Sequence, residues 1–181
     1  MKNIIYLILA FTVTLSLISC SDDDPTGPGP VDVGSVSFTV SGDIEAELDG
    51  VAEFIRLEEN AGVIFDFSFV DTPQTFSMTF TNVSQDDSDL PVTGAYDMGS
   101  NLADDGVFLA IFEDLRDGLF ESTEYSTLTE GTGGTLEITE SSSDVLRGTF
   151  SFTASSDDPE TGEPAGEITI SDGEFEATVT E

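Results

Sequence analysis

From residue 35 to residue 181, apolar side chains recur at every second position, and this alternation restricts the possible folds more than any other feature. "SVSFTV" sets Val36, Phe38 and Val40 on one face, and "DIEAEL" does the same for Ile44, Ala46 and Leu48. "VIFDFSFV" aligns Val63, Phe65, Phe67 and Phe69, and "TFSMTF" aligns Phe76, Met78 and Phe80. The pattern returns in Leu136 and Ile138, in Phe150, Phe152 and Ala154, in Ile168 and Ile170, and in Phe175, Ala177 and Val179. Successive side chains of a strand point to opposite sides, so each segment has one face to bury and one Ser, Thr, Asp or Glu face for water. Only "VFLAIF" at 107–112 is apolar throughout, which predicts a central strand covered on both sides.

Turn residues punctuate these segments: Gly42, Asp49-Gly50, Asn60-Ala61-Gly62, Asp104-Asp105-Gly106, Asp117-Gly118, Gly133-Gly134 and Asp172-Gly173. Asp-Gly pairs tolerate the positive φ of tight hairpins. The expected fold is therefore all-β: an antiparallel meander of about nine or ten strands closing as a sandwich or a barrel over residues 35–181. Two polar stretches, 82–91 and 155–166, read as long loops, and the stretch from Phe112 to Tyr125 has room for one helical turn.

Whether such strands find a core is a matter of composition. The 181 residues suit one domain, and fourteen Phe supply enough apolar surface to fold despite the charge. That charge is extreme, with 37 acids, four bases, no His and a net −33. One base, Lys2, lies in the first nineteen residues, which hold no acid; without them 37 acids face Arg56, Arg116 and Arg147, a balance of −34. Such a field repels phosphate backbones and anionic lipid, so nucleic acid is excluded as a partner and membrane attachment has to be covalent. Self-repulsion of this size is best tolerated where salt shortens the screening length from about 8 Å to about 3 Å, the condition of a halophilic protein. A polycation- or calcium-binding surface, or plain solubility, is the alternative.

The N-terminus supplies the covalent route. After Met1-Lys2-Asn3, an apolar run from Ile4 to Ile18 has the length of a signal-peptide core and falls short of the ~20 residues that span a bilayer. Leu17, Ile18 and Ser19 precede Cys20, the only cysteine. "LISC" resembles a bacterial lipobox. The resemblance implies removal of the signal peptide, residues 1–19, and acylation of Cys20, which uses up a thiol that would otherwise stand unpaired in an oxidising compartment. Residues 20–34, with Asp22, Asp23 and Asp24 and then Pro and Gly, read as a flexible acidic linker. Acids directly after the lipidated cysteine also resemble the surface-export signal of Bacteroidota-type lipoproteins.

"GTFSFTA" at 148–154, "ITISDGEF" at 168–175, "GTGGTLEIT" at 131–139 and "GAYDM" at 94–98 are together similar to a family of small acidic Bacteroidota-type lipoproteins of unknown function. The resemblance implies an all-β domain at the outer membrane, facing the cell surface, with the periplasmic face as the alternative. It transfers no catalytic residue.

Chemistry is sparse. Without His there is no imidazole base or ligand, and with Cys20 lipidated there is no thiol nucleophile. No catalytic residue, cofactor site or metal site is expected. Asp86, Asp87 and Asp89 in one loop and Asp157, Asp158 and Glu160 in the other are the weak candidates for Ca²⁺ or a polycation, and neither spacing matches a calcium loop. The expected function is a non-catalytic surface lipoprotein with a structural or binding role. The rivals are a lipocalin-like carrier of an apolar ligand and a carboxylate hydrolase acting on extracellular polysaccharide. Halophily predicts that the thermal midpoint climbs by about 5 °C or more between low and molar NaCl. A salt-independent melting curve would contradict it.

Overall fold

A computed structural model describes residues 33–59, 62–84, 90–100, 106–116, 118, 122–158, 161–162 and 164–180. The chain divides into Met1–Val31 and Asp32–Glu181, and every described strand belongs to the second unit. The alternating segments become β1 (Ser35–Gly42), β2 (Ala46–Glu59), β3 (Gly62–Val70), β4 (Phe76–Ser84) and β5 (Gly94–Met98). They continue as β6 (Val107–Asp114), β7 (Thr123–Ser126), β8 (Gly133–Ser141), β9 (Val145–Asp157) and β10 (Pro164–Thr180). No helix occurs among the described residues, so none there is long and apolar enough to cross a membrane.

The ladders join end to end. β1 pairs with β2, β2 with β3, β3 with β4 and β4 with β6; β6 then pairs with β5, β5 with β8, β8 with β9, β9 with β10, and β10 returns to β1. This closed ring is a barrel, which resolves the choice between barrel and sandwich. β7 bridges β6 and β9 at one end of the gap that β5 and β8 fill at the other. The meander expectation holds for β1 to β4 and for β8 to β10. Two short ladders depart from it by being parallel, β5 with β6 and β10 with β2.

Closure points one face of every strand inward. Twelve of the fourteen phenylalanines lie among the described residues, and all twelve are buried. Rings from opposite walls meet: Phe67 and Phe175 at 5.3 Å between centroids, Phe80 and Phe150 at 5.0 Å, Phe38 and Phe76 at 5.1 Å. Phe69 touches Phe150 and Phe175 at 5.8 Å each. Edge-to-face pairs of this kind add about 0.5–1.5 kcal/mol beyond the area they bury. The interior along these walls is packed with side chains and is not a lumen.

Several expected turns are strand interiors. Asp49-Gly50 lies within β2, where the strand passes from pairing with β1 over residues 46–50 to pairing with β3 over 51–59. Asp172-Gly173 is a bulge within β10, marked by register shifts against both β1 and β9. Asp172 takes φ of 53°, and a Cβ on Gly173 would lie 2.5 Å from the Phe150 ring. The extra residue bends the longest strand around the barrel, which a hairpin there would have ended. Gly133-Gly134 opens β8, and the turn before it closes through Thr132 N–H donating to Thr129 O at 3.2 Å. The expected 155–166 loop is shorter, because Ser155–Asp157 extend β9 and Pro164–Gly166 begin β10.

The strand at 107–112 is covered on one side only: Phe108, Ala110 and Phe112 are buried, while Val107, Leu109 and Ile111 are half-buried on the outer wall. Beyond it, the described residues of the Phe112 to Tyr125 stretch form the end of β6, a turn closed by Gly118 N–H donating to Leu115 O at 2.9 Å, and β7. At the other extreme, Gly34 is wedged between β2 and β10, where a Cβ would come within 2.1 Å of Ala52 O and 2.4 Å of Glu176 O. Only glycine lets the chain enter the seam there.

Because rings from opposite walls share one interior, Phe67→Ala is expected to destabilise the barrel by about 3–5 kcal/mol in urea unfolding. Thr149→Ala on the outer wall should stay within about 0.5 kcal/mol. Equal effects would contradict the filled interior.

Candidate functional site

Leu17, Ile18, Ser19 and Cys20 lie outside the described residues, as do Asp86, Asp87, Asp89 and Glu160. Of the acidic-loop candidates, Asp157 ends β9 and is exposed. Asp158 is engaged in its own hairpin: its Oδ1 accepts from Thr161 N–H at 2.8 Å and its carbonyl from Gly162 N–H at 2.7 Å. Among the described residues, no group of three or more His, Cys, Asp or Glu is placed to hold a metal ion.

With the interior filled, the chemistry lies on the outer wall, which has two characters. Around β8, β9, β10 and β1 it is polar, with shallow hollows bordered by Glu137, Asp172 and Glu174 and by Asp49, Arg147 and Glu176. Arg147 on β9 ties its neighbours together: Nε donates to Glu176 Oε2 on β10 at 2.6 Å, and Nη1 to Glu140 Oε2 on β8 at 2.5 Å.

Across β2, β3, β4 and β6 the wall is largely apolar. Register places Leu57, Ile64 and Val83 in one cross-strand row and Ile55, Asp66, Thr81 and Leu109 in the next. A third row holds Glu53, Ser68, Thr79 and Ile111. Leu57 is 47% exposed, and Ile55, Ile64, Val83, Leu109 and Ile111 are half-buried. Among the described residues, Asp66 is the one carboxylate in the first two rows, and exposed Glu53 marks the edge of the third. Thr81 Oγ1 donates to its Oδ1 at 2.6 Å, and Oδ2 takes no hydrogen bond from a described residue. Burial among the aliphatic neighbours pushes its carboxyl above the ordinary aspartate value, and the Thr81 bond offsets this only in part.

A second carboxylate feature borders the band. Glu113 on β6 and Glu124 on β7 stand directly opposite each other in the ladder. Burial raises the Glu113 carboxyl, and the Glu124 charge raises it further. Two facing carboxyls, one inclined to keep its proton, are the elements of acid–base chemistry. Here they point outward from the wall beside Ser77, away from the filled interior.

At the adjoining barrel end, Arg116 grips Asp114 with Nε to Oδ1 at 2.8 Å and Nη2 to Oδ2 at 2.7 Å, which lowers the Asp114 carboxyl. Tyr125 on β7, opposite Phe112 in the ladder, is buried, and burial, then the charges of Asp43 and Asp114, push its phenol up.

Asp66, Glu113 and Glu124 were not singled out by sequence. Alternation in "VIFDFSFV" already put Asp66 on the outer face with Ile64, but Ile55 and Leu109 come to its row from β2 and β6, which only register supplies. No family model, no curated protein and no solved structure matches the chain.

The raised carboxyl of Asp66 has a definite linkage sign. In the unfolded chain it ionises near 3.8, and in the barrel it keeps its proton to higher pH. Between the two values the folded state binds more protons, so stability is greatest below 3.8 and is lost as pH rises through the folded value. Asp66→Asn should therefore match the natural protein in urea unfolding at about pH 3 and gain on it progressively toward about pH 7. Parallel stability curves over that range would contradict the assignment.

Proposed function

We propose that this chain is a lipid-anchored outer-membrane protein whose barrel is a non-catalytic binding or structural module. Residues 1–19 direct export, Cys20 receives the acyl chains, and residues 20–34 hold the barrel off the bilayer on the cell-surface side. The anchor rests on the "LISC" sequence and its place after the apolar run. Several acyl chains, at about 0.8 kcal/mol per buried CH₂, hold a protein stably where one chain would not.

The observation that carries the binding reading is the phenylalanine-filled interior. Rings meeting at 5.0–5.3 Å between opposite walls occupy the space that a carried apolar ligand would need, so whatever this barrel recognises meets its outer wall. Hydrolysis of polysaccharide is less well supported, because Glu113 and Glu124 face outward on a convex wall that offers a sugar chain no enclosure. The acidity suits concentrated salt, where charges on the outer wall are screened.

Growth in the presence of an alkyne-tagged fatty acid, followed by click detection, tests the anchor. The natural protein should carry the label and Cys20→Ser should not, while the latter also keeps its leader and migrates more slowly. An unlabelled natural protein would overturn the anchored reading. Proteinase treatment of intact cells should remove the barrel, and full protection would place it on the periplasmic side.

A further inference from the structure

We infer that the outer wall of β2, β3, β4 and β6 is a docking face for another protein, which presents apolar side chains around one lysine or arginine with Asp66 as its counter-ion. The inference rests on reading the barrel as a binding module, and is independent of the anchor.

Three observations carry it. The first is the company Asp66 keeps. Ile55 and Thr81 flank it across the ladders, Ile64 precedes it by two positions on the same face, and Leu109 lies beyond Thr81. A carboxylate in such surroundings loses hydration, and Thr81 replaces part of it at Oδ1 while Oδ2 stays open. A cation brought into an apolar setting supplies the missing charge-assisted hydrogen bond.

The second is the sign of the rim. Among the described residues, the charges along its borders include Glu53, Glu113, Glu124 and Asp97, all acidic, so an acidic partner is repelled and a cationic one attracted.

The third concerns where the cation comes from. Each arginine beyond the leader already pairs with a carboxylate of its own chain: Arg56 with Glu58, Arg116 with Asp114, and Arg147 with Glu140 and Glu176. No lysine lies beyond Lys2. A second copy would set Glu53, Asp66 and Glu113 against their own kind and bring no uncommitted cation, so the occupant is a different protein. A metal ion is a poorer match, since calcium takes six to eight oxygens and the band offers one carboxylate.

The test uses the full-length protein and two fluorescent pentapeptides, acetyl-Leu-Val-Lys-Val-Leu-amide and its norleucine counterpart. Anisotropy is read in about 1 M NaCl, which suppresses diffuse attraction between exposed charges. The lysine peptide should bind at least about tenfold more tightly than the norleucine one. Asp66→Asn should erase that difference, Leu57→Ser should weaken both peptides, and Glu174→Gln on the opposite wall should change neither. Should Asp66→Asn fail to fold, Leu57→Ser and Glu174→Gln still separate the band from the rest of the surface. The docking face is overturned if Glu174→Gln costs as much as Asp66→Asn, if Leu57→Ser changes nothing, or if neither peptide binds. It is overturned equally by sedimentation showing a dimer that Leu57→Ser dissolves. Fatty-acid labelling of Cys20 remains a separate result in every case.

Discussion

Closing a sheet on itself leaves an interior that every strand shares, and in this barrel phenylalanine fills it. Phe38 on β1, Phe67 and Phe69 on β3, Phe80 on β4, Phe150 on β9 and Phe175 on β10 reach one another across the middle. Residues more than a hundred positions apart in the chain thus depend on one packing arrangement. A single ring is worth about 3–5 kcal/mol against a total stability of about 5–15 kcal/mol. The remaining features follow from this commitment, because with the inside occupied, solvent meets the outer wall alone.

The outside carries nearly all the charge, and of the three arginines in the fold Arg147 pairs across strands while Arg56 and Arg116 pair with carboxylates two positions away. Arg147 bridges three neighbouring strands on the polar wall, and Arg116 holds Asp114 at the end of β6. These are exposed ion pairs, and screened contacts of that kind contribute about 0–1 kcal/mol. They orient side chains more than they stabilise the barrel. Against this acidic background the aliphatic rows on β2, β3, β4 and β6 are the exception. Solubility favours charge there, and the barrel keeps Ile, Leu and Val instead, with one carboxylate set among them.

Much of the fold was legible because a period of two is a local property. Phe65, Phe67 and Phe69 could be placed on one face from their spacing, and the buried face of the barrel contains them. What alternation does not carry is the partner of each strand. Asp49-Gly50 and Asp172-Gly173 both have turn chemistry, yet one sits where β2 changes partner and the other is a bulge that bends β10. An Asp-Gly pair permits positive φ, but of these two only the bulge uses it, at Asp172; Gly50 serves instead to let the Val70 carbonyl approach, where a Cβ would lie 2.3 Å from its oxygen. In the same way "VFLAIF" contained no sign of which face would be left half-open, since that depends on what lies over the wall. Asp66 was visible as an outward residue of β3 and invisible as a carboxylate among aliphatics, because Ile55 and Leu109 are eleven and forty-three positions away.

By itself, the sequence determined the all-β class, most of the inward residues of β1, β3, β4, β8, β9 and β10, and the excess of acid, and it carries the expectation of lipid at Cys20. Each depends on residue identity or on spacing within a few positions. Only the tertiary structure decided that the ladders close into a ring, that the interior is full and that an aliphatic band with one carboxylate crosses four strands. Those properties belong to the register between distant segments, and register is set when all the strands compete to bury their phenylalanines in the same space.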